Sequence, residues 1–341
     1  MDNREKGVER KIITRDDLSK WLEKIKGHFD LYAPVRSTVV NFGKIERVDK
    51  ICLDFMNTFL PPKVLFFPQT EELFSYARDS EGIEVKRAED LIKERVLFGI
   101  RPCDARALSI LDMVFGGEIQ DSHYIEKRRN TVLIGIGCTE SLNTCFCSTF
   151  GIDPLSGEGT DIFLIDNGGY FTIKEVNTQR GRSLIDLGNT FIKTEKVDHR
   201  EEAGSVTVPI NIASITGNME KVQEDFWNNT SDPCLSCGIC TYVCPTCHCF
   251  DVEDEEKKNG GVRFRTWDFC MSKDFARMAS GENPRISKGE RYRHRYFHKF
   301  DYFPKKYAVV GCVGCGRCIS YCPVNMDIRK VLERIRENIQ K

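Results

Sequence analysis

The stretch CLSCGICTYVCP at residues 234–245 decides the fold of the carboxyl-terminal part of this 341-residue chain. The same cysteine spacing returns as CVGCGRCISYCP at residues 312–323. Each copy has the form C-x₂-C-x₂-C-x₃-C followed directly by proline, and 11 of the 16 cysteines lie between Cys234 and Cys322. The repeat is one of ligand-type residues, so it indicates two equivalent binding loops rather than a repeated structural unit.

This spacing is the bacterial ferredoxin pattern for [4Fe–4S] clusters, in which closely spaced thiolates wrap the corners of a cube. Gly238 and Gly316 follow the second cysteine of each run and permit the close or left-handed backbone that such wrapping needs. In two-cluster ferredoxins the fourth cysteine of each run binds the other cluster. The predicted ligand sets are therefore Cys234, Cys237, Cys240 and Cys322 for one cluster, and Cys312, Cys315, Cys318 and Cys244 for the other.

Zinc is the main alternative metal, because paired C-x-x-C units also build zinc ribbons. Under this alternative the protein would be a zinc-stabilised interaction module without a redox role. Zinc sites need four ligands, usually from two pairs. A doubled four-cysteine run that ends in Cys-Pro favours the iron–sulfur interpretation.

Composition and charge exclude several other classes of protein. Lysine and arginine balance aspartate and glutamate to a net charge of −1, which gives no support to a nucleic-acid binder. The charged start MDNREKGVERK has no apolar signal-peptide core, and no apolar run approaches the length of a membrane helix. A disulfide framework is typical of short secreted chains. We therefore expect a cytoplasmic protein with reduced thiols, no membrane span and no nucleic-acid partner.

The order of predicted elements indicates an α+β protein: an N-terminal α/β-type domain followed by a mainly helical dicluster ferredoxin-like domain. We place the N-terminal domain at 1–200, a linker with a helix at 201–232, and the dicluster domain at 233–341. Apolar periodicity and turn residues predict, in chain order, a helix at 14–30, a strand at 64–67, a helix at 70–78, a strand at 96–100, a helix at 107–115, a strand at 131–137, a hairpin of 161–166 with 170–176, a helix at 218–229 and a helix after Cys322.

Eight further cysteines lie outside the two runs, and Cys52 stands alone among them near the N-terminus. Four follow predicted strands of the N-terminal domain and are candidate ligands of a third metal centre: Cys103, Cys138, Cys145 and Cys147. Isolated cysteines are also often small buried apolar residues, and that alternative stays open for Cys103. Past the first run, Cys247, Cys249 and Cys270 are candidates for further ligands, redox-active thiols or donors to cluster sulfides. A further alternative is that the chain is itself an enzyme that uses these three cysteines to reduce a thiol or sulfur compound.

The basic segment 285–306 is either a docking face for an acidic electron carrier or a partner protein, or a solvated loop. No G-x-G-x-x-G follows a predicted strand, and Walker A, H-E-x-x-H and G-x-S-x-G motifs are absent from the sequence. We accordingly predict no catalytic residue and no dinucleotide site in this chain.

Several motifs in order resemble one known family: FGIRPCD, GCT…CFC, CPTCHCFDVED, TWDFCMSKDFA and CVGCGRCISYCPVNMDI. The chain is similar, over roughly residues 90–340, to the family that contains the β subunit of archaeal sulfhydrogenases and the corresponding iron–sulfur subunit of anaerobic sulfite reductase. The resemblance implies an iron–sulfur subunit that relays electrons between a flavin subunit using NAD(P)H and a catalytic redox subunit, with ferredoxin as a further candidate partner. It also implies that the eight cysteines of the two runs bind the clusters.

Overall fold

An eight-stranded mixed sheet dominates the N-terminal part of the computed structural model, which describes residues 8–78, 80, 82–87, 93–197, 202–204 and 208–340. Its order is β10-β1-β9-β8-β7-β6-β2-β3, and the central strands β2, β6, β7 and β8 run parallel. The strands are β1 (Val8–Thr14), β2 (Asp30–Arg36), β3 (Val40–Lys44), β6 (Arg95–Ile100), β7 (Thr131–Ile136), β8 (Ile162–Asp166), β9 (Tyr170–Val176) and β10 (Lys193–Val197).

Helices cover both faces of this sheet, which explains why every residue of β6 and β7 is buried. One face packs on α1 (Arg15–Lys26) and α4 (Gln179–Leu187), and the other on α2 (Pro102–Phe115) and α3 (Ser122–Arg129). The Thr14 side chain caps α1 by accepting a hydrogen bond from the Asp17 amide. The predicted helix at 14–30, the strands at 96–100 and 131–137, the helix at 107–115 and the hairpin through Asn167-Gly168-Gly169 are confirmed.

A second sheet joins the two halves of the chain. Its order is β11-β12-β4-β5, formed by β4 (Thr70–Arg78), β5 (Ile83–Arg87), β11 (Phe250–Lys257) and β12 (Gly260–Trp267). The predicted helix at 70–78 is therefore wrong, because a ladder to the distant β12 overrides the local helical pattern. The predicted strand at 64–67 is also wrong: Pro62–Leu65 form a 3₁₀ turn, and the proline at its start lacks the amide that a strand would use.

The carboxyl-terminal part is mainly helical, as predicted, apart from the β11–β12 hairpin. Its helices are α5 (Ile212–Ile215), α6 (Glu224–Ser231), α7 (Ile239–Tyr242), α8 (Lys288–Phe297), α9 (Phe303–Tyr307), α10 (Arg317–Ser320) and α11 (Ile328–Gln340). A core that includes Trp227, Phe297, Phe300, Leu332 and Ile335 holds them together. The helix predicted at 218–229 is split into a 3₁₀ turn and α6.

The basic segment is not a solvated loop, and its role as a docking face stays a prediction. It forms α8, a π-helical turn at His298–Tyr302 and α9. Arg291, Arg295 and Lys299 are buried on the inner side of this segment. The α+β class is thus confirmed, while the domain limits at 200 and 232 stay a prediction. Within the described ranges, no helix combines the length and apolar character needed to cross a bilayer.

Candidate metal centre

Cysteines from both runs meet in one pocket. Its apolar walls come from side chains such as Met271, Tyr292, Tyr296 and Ile328. Five cysteines line it: Cys234, Cys237, Cys240, Cys318 and Cys322. The first three cysteines of the first run and the last two of the second therefore share one space, although the chain separates the two runs widely.

The two binding loops have the same local construction. Gly238 and Gly316 precede the short helices α7 and α10, with φ of 76° and 77° in the left-handed region. A Cβ on Gly238 would lie 2.6 Å from the ring of Phe269, and one on Gly316 would lie 2.5 Å from the carbonyl oxygen of Thr144. Both glycines are therefore required by backbone conformation and by close packing. This is the tight wrapping that an iron–sulfur loop needs, so the residues present fit such a cluster.

Hydrogen-bond donors point at the cysteine sulfurs in both loops. The Ser236 amide lies 3.4 Å from Cys234 Sγ, and the Met326 amide lies 3.2 Å from Cys322 Sγ. The Cys247 thiol donates to the sulfur of Cys244, which lowers the pKa of Cys244. Donors of this kind stabilise thiolates, the form in which cysteine binds metals.

Cys244 lies near the three cysteines of the second run. Burial raises the pKa of Cys312, Cys315 and Cys318, the last well above its ordinary value. The pKa of Cys315 reaches about 12. A negative charge on Cys244 raises the pKa of all three cysteines further, so the four sulfurs lie close enough to interact electrostatically. Deprotonating such a buried group requires positive charge nearby. Lys299, Arg295 and Arg317 supply part of it by lowering these pKa values, and a bound metal centre would add to it.

Three of the N-terminal cysteines approach one another beside the second binding loop. Burial raises the pKa of Cys147 to about 11, and charges on Cys138 and Cys145 raise it further. Cys145 Sγ lies 3.9 Å from the Cys315 carbonyl oxygen. Cys103, at the start of α2, is buried and has Cys315 and Cys138 among the groups that raise its pKa.

The segment that carries these cysteines packs directly on the second loop. The Phe146 amide donates to the Gly314 carbonyl at 2.8 Å. A Cβ on Gly314 would lie 2.5 Å from the Phe146 carbonyl oxygen. Among the described residues, no group of three or more His, Cys, Asp or Glu side chains is arranged to hold a single metal ion.

The cysteines past the first run each contact a neighbouring thiol. Cys249 and Cys270 are hydrogen-bonded to each other, and this bond lowers the pKa of Cys270 to about 6. Cys270 Sγ also lies 3.9 Å from the hydroxyl of Thr241 on α7. Cys247 and Cys270 are each 7% exposed, so neither thiol is open to a substrate from solution. Cys249 is only partly buried, so the sulfur-reducing enzyme that the sequence left open stays an untested alternative.

Sequence reasoning missed the buried cations around the sulfurs. Lys299 Nζ lies 3.3 Å from Cys244 Sγ, and Arg295 Nη1 lies 3.8 Å from Cys247 Sγ. Arg317, inside the second run, pairs with Asp104 on α2. For Lys299 and Arg295 the only signal in the sequence was the basic character of 285–306, which does not distinguish buried from exposed charges.

Comparison with known proteins agrees with this geometry. Residues 233–326 match the family of 4Fe-4S dicluster domains. Sulfhydrogenase 2 subunit beta of Pyrococcus furiosus is 31% identical over 320 residues, which cover 91% of this chain and 93% of that protein. The chain belongs to the sulfhydrogenase subunit beta family. The resemblance drawn from the sequence motifs is confirmed, and no solved structure matches the chain significantly.

This sulfhydrogenase beta family member is thus an iron–sulfur, electron-transfer protein of the oxidoreductase class. The match to a dicluster domain favours iron–sulfur clusters over the zinc alternative.

Proposed function

We propose that the chain binds two [4Fe–4S] clusters through crossed ligand sets. Cys234, Cys237 and Cys240 hold the first cluster, and Cys322 completes it. Cys312, Cys315, Cys318 and Cys244 hold the second. The observation that carries this proposal is the pocket that Cys322 shares with the three cysteines of the other run.

A third centre beside the second cluster is part of the same proposal, with Cys138, Cys145 and Cys147 as ligands and Cys103 as the fourth candidate. Support comes from the mutual electrostatic contact of the first three and from the packing of 144–147 on Gly314 and Gly316. The three sites would then form a row, with the second cluster in the middle. A row of closely spaced centres is what a relay of single electrons requires.

The proposed role is to pass electrons between a flavin subunit that uses NAD(P)H and a catalytic redox subunit, in the cytoplasm. Bound [4Fe–4S] clusters supply one-electron carriers, and the protein's own residues hold them, exclude water and set their potentials. The name of the Pyrococcus furiosus relative supports a multi-subunit setting, because that protein is a subunit of a sulfhydrogenase. The absence of a dinucleotide-binding motif from this sequence agrees with a nicotinamide site on a partner. Ferredoxin is a second candidate donor or acceptor.

Anaerobic purification of the complex from its native host tests this function. We expect the chain to co-purify with both a flavoprotein and a catalytic subunit, and its clusters to be reduced when NADH or NADPH is added. About four irons and four sulfides per cluster are expected. Clusters that stay oxidised while the flavin is reduced would refute the relay, and a preparation with zinc but no sulfide would refute the clusters themselves.

A further inference from the structure

Three cations are buried against the first cysteine run, and none has an acidic partner among the described residues. Lys63, Arg295 and Lys299 are only 2%, 6% and 4% exposed. None of them forms an ion pair with a carboxylate among the residues that the structure describes. Other buried cations of the chain do have such partners: Arg265 pairs with Glu71, and Arg317 with Asp104.

Lys299 makes the closest contact with a cluster loop. Its ammonium lies 3.3 Å from Cys244 Sγ, 3.0 Å from Thr246 Oγ1 and 2.7 Å from the Gly311 carbonyl oxygen. Gly311 immediately precedes Cys312. Lys299 therefore bridges the fourth cysteine of the first run to the start of the second run, the two parts of the second ligand set.

Arg295 and Lys63 contact backbone oxygens of the same stretch of chain, residues 240–247. Arg295 Nη2 donates to the Cys240 carbonyl at 2.9 Å, and its Nη1 lies 3.3 Å from Thr241 Oγ1. Lys63 Nζ donates to the Cys247 carbonyl at 2.8 Å. Both cations are held by carbonyl and hydroxyl oxygens, and Lys63 Nζ also lies 4.1 Å from the centroid of the Trp267 ring, but no carboxylate among the described residues balances either charge.

A buried charge is costly unless an opposite charge lies nearby. The anionic groups available here are cysteine thiolates and the clusters they bind, and a cluster gains one negative charge when it is reduced. A fixed positive charge in a low-dielectric site stabilises the reduced form more than the oxidised form. It therefore raises the reduction potential of the nearest cluster.

We infer that Lys299 is a potential-setting residue for the cluster bound through Cys244, with Arg295 and Lys63 as more distant counter-charges. The inference rests on the proposed function. Lys299 is a positioning residue here: it contacts a ligand sulfur rather than any reacting substrate. Its charge makes the second cluster a better electron acceptor than its cysteines alone would.

A redox titration followed by EPR tests this role in the anaerobically purified protein. Lys299→Met should make the second cluster at least tenfold harder to reduce, which corresponds to a potential about 59 mV lower for one electron. The potential of the first cluster should move less. Lys299→Arg keeps the charge and should stay near the wild-type potential, and Lys306→Met removes an exposed lysine from the same segment as the matched control.

Lys299→Gln covers the case in which the methionine variant fails to load, because an amide can still donate to Thr246 and Gly311. A loaded Met or Gln variant with wild-type potentials would overturn the inference, as would a loss of potential in the Arg variant equal to that in the Gln variant. The iron and sulfide content of the wild-type protein is measured separately. A wild-type protein without clusters contradicts the proposed function, whereas normal loading with an unchanged titration contradicts only the role of Lys299.

Discussion

Arg317 and Asp104 form a bidentate ion pair, with both N–O distances at 2.7 Å and each side chain only 1% exposed. Arg317 opens α10 inside the second cysteine run, and Asp104 follows Cys103 at the start of α2. The guanidinium also donates to the Thr58 carbonyl at 2.8 Å and to the Thr58 hydroxyl at 3.1 Å. The pair thus fixes the second binding loop to the N-terminal sheet domain.

Arg317→Met should destabilise the folded protein by about 3–5 kcal/mol, because it leaves the Asp104 carboxylate buried without a partner. Denaturant unfolding under anaerobic conditions measures this free energy. The double variant Arg317→Met/Asp104→Leu should recover much of the loss, since no buried charge then remains. A double variant that is as unstable as the single one would show that the pair does not act as a unit.

The crossed ligand sets predict which spectra should resemble each other. Cys315 is a ligand of the second cluster whether or not the fourth ligands cross, and Cys237 is likewise a ligand of the first. Cys315→Ser and Cys237→Ser therefore serve as reference variants for the two clusters. Cys244→Ser should therefore give the EPR spectrum of Cys315→Ser, and Cys322→Ser that of Cys237→Ser. If Cys244→Ser instead matched Cys237→Ser, each run would bind its own cluster without crossing.

The third centre predicts a specific loss of iron. Cys145→Ser/Cys147→Ser should reduce the iron content from about twelve to about eight atoms per chain, since each cluster holds four. The EPR signals of the two ferredoxin-type clusters should persist. Cys52→Ser is the control, because Cys52 contacts Arg36 and the Asp54 backbone instead of the other cysteines. Equal iron in the double variant and the control would eliminate the third centre.

The sequence predicted best those structural features that depend on residues close together in the chain. The spacing around Gly238 and Gly316 is a property of a few consecutive residues, and the buried strands β6 and β7 are continuous apolar runs. The strand β4 was missed because its partner, β12, lies far along the chain and local periodicity favoured a helix. The Arg317–Asp104 pair and the contact of Lys299 with Cys244 were missed for a related reason: whether a charge is buried depends on the tertiary fold, and the segment around Lys299 has the composition of an exposed one.

Three histidines pack together at the end of α8, and they predict a dependence of stability on pH. The rings of His294 and His298 stack with centroids 6.0 Å apart, and His248 meets His298 at 5.5 Å. Burial lowers the pKa of His298 to about 3, and the neighbouring His248 and Lys299 lower it further. The pKa of His294 is lowered to about 4, chiefly by burial.

Whether stability rises or falls with pH depends on which state, folded or unfolded, binds the proton at the higher pH. In the unfolded chain a histidine has a pKa near 6.5, so between about pH 6.5 and pH 3 the unfolded state binds a proton that folded His298 does not. Stability is therefore full above pH 6.5 and falls as the pH drops through this window. At pH 5 the expected loss from His298 is about 2 kcal/mol, because each pH unit below 6.5 contributes about 1.4 kcal/mol. Denaturant midpoints at pH 7 and pH 5 measure this loss.

His298→Phe keeps the aromatic packing and should reduce the difference between the two midpoints, whereas His28→Gln, at an exposed position, should not. An unchanged difference in His298→Phe would show that another group controls the acid sensitivity.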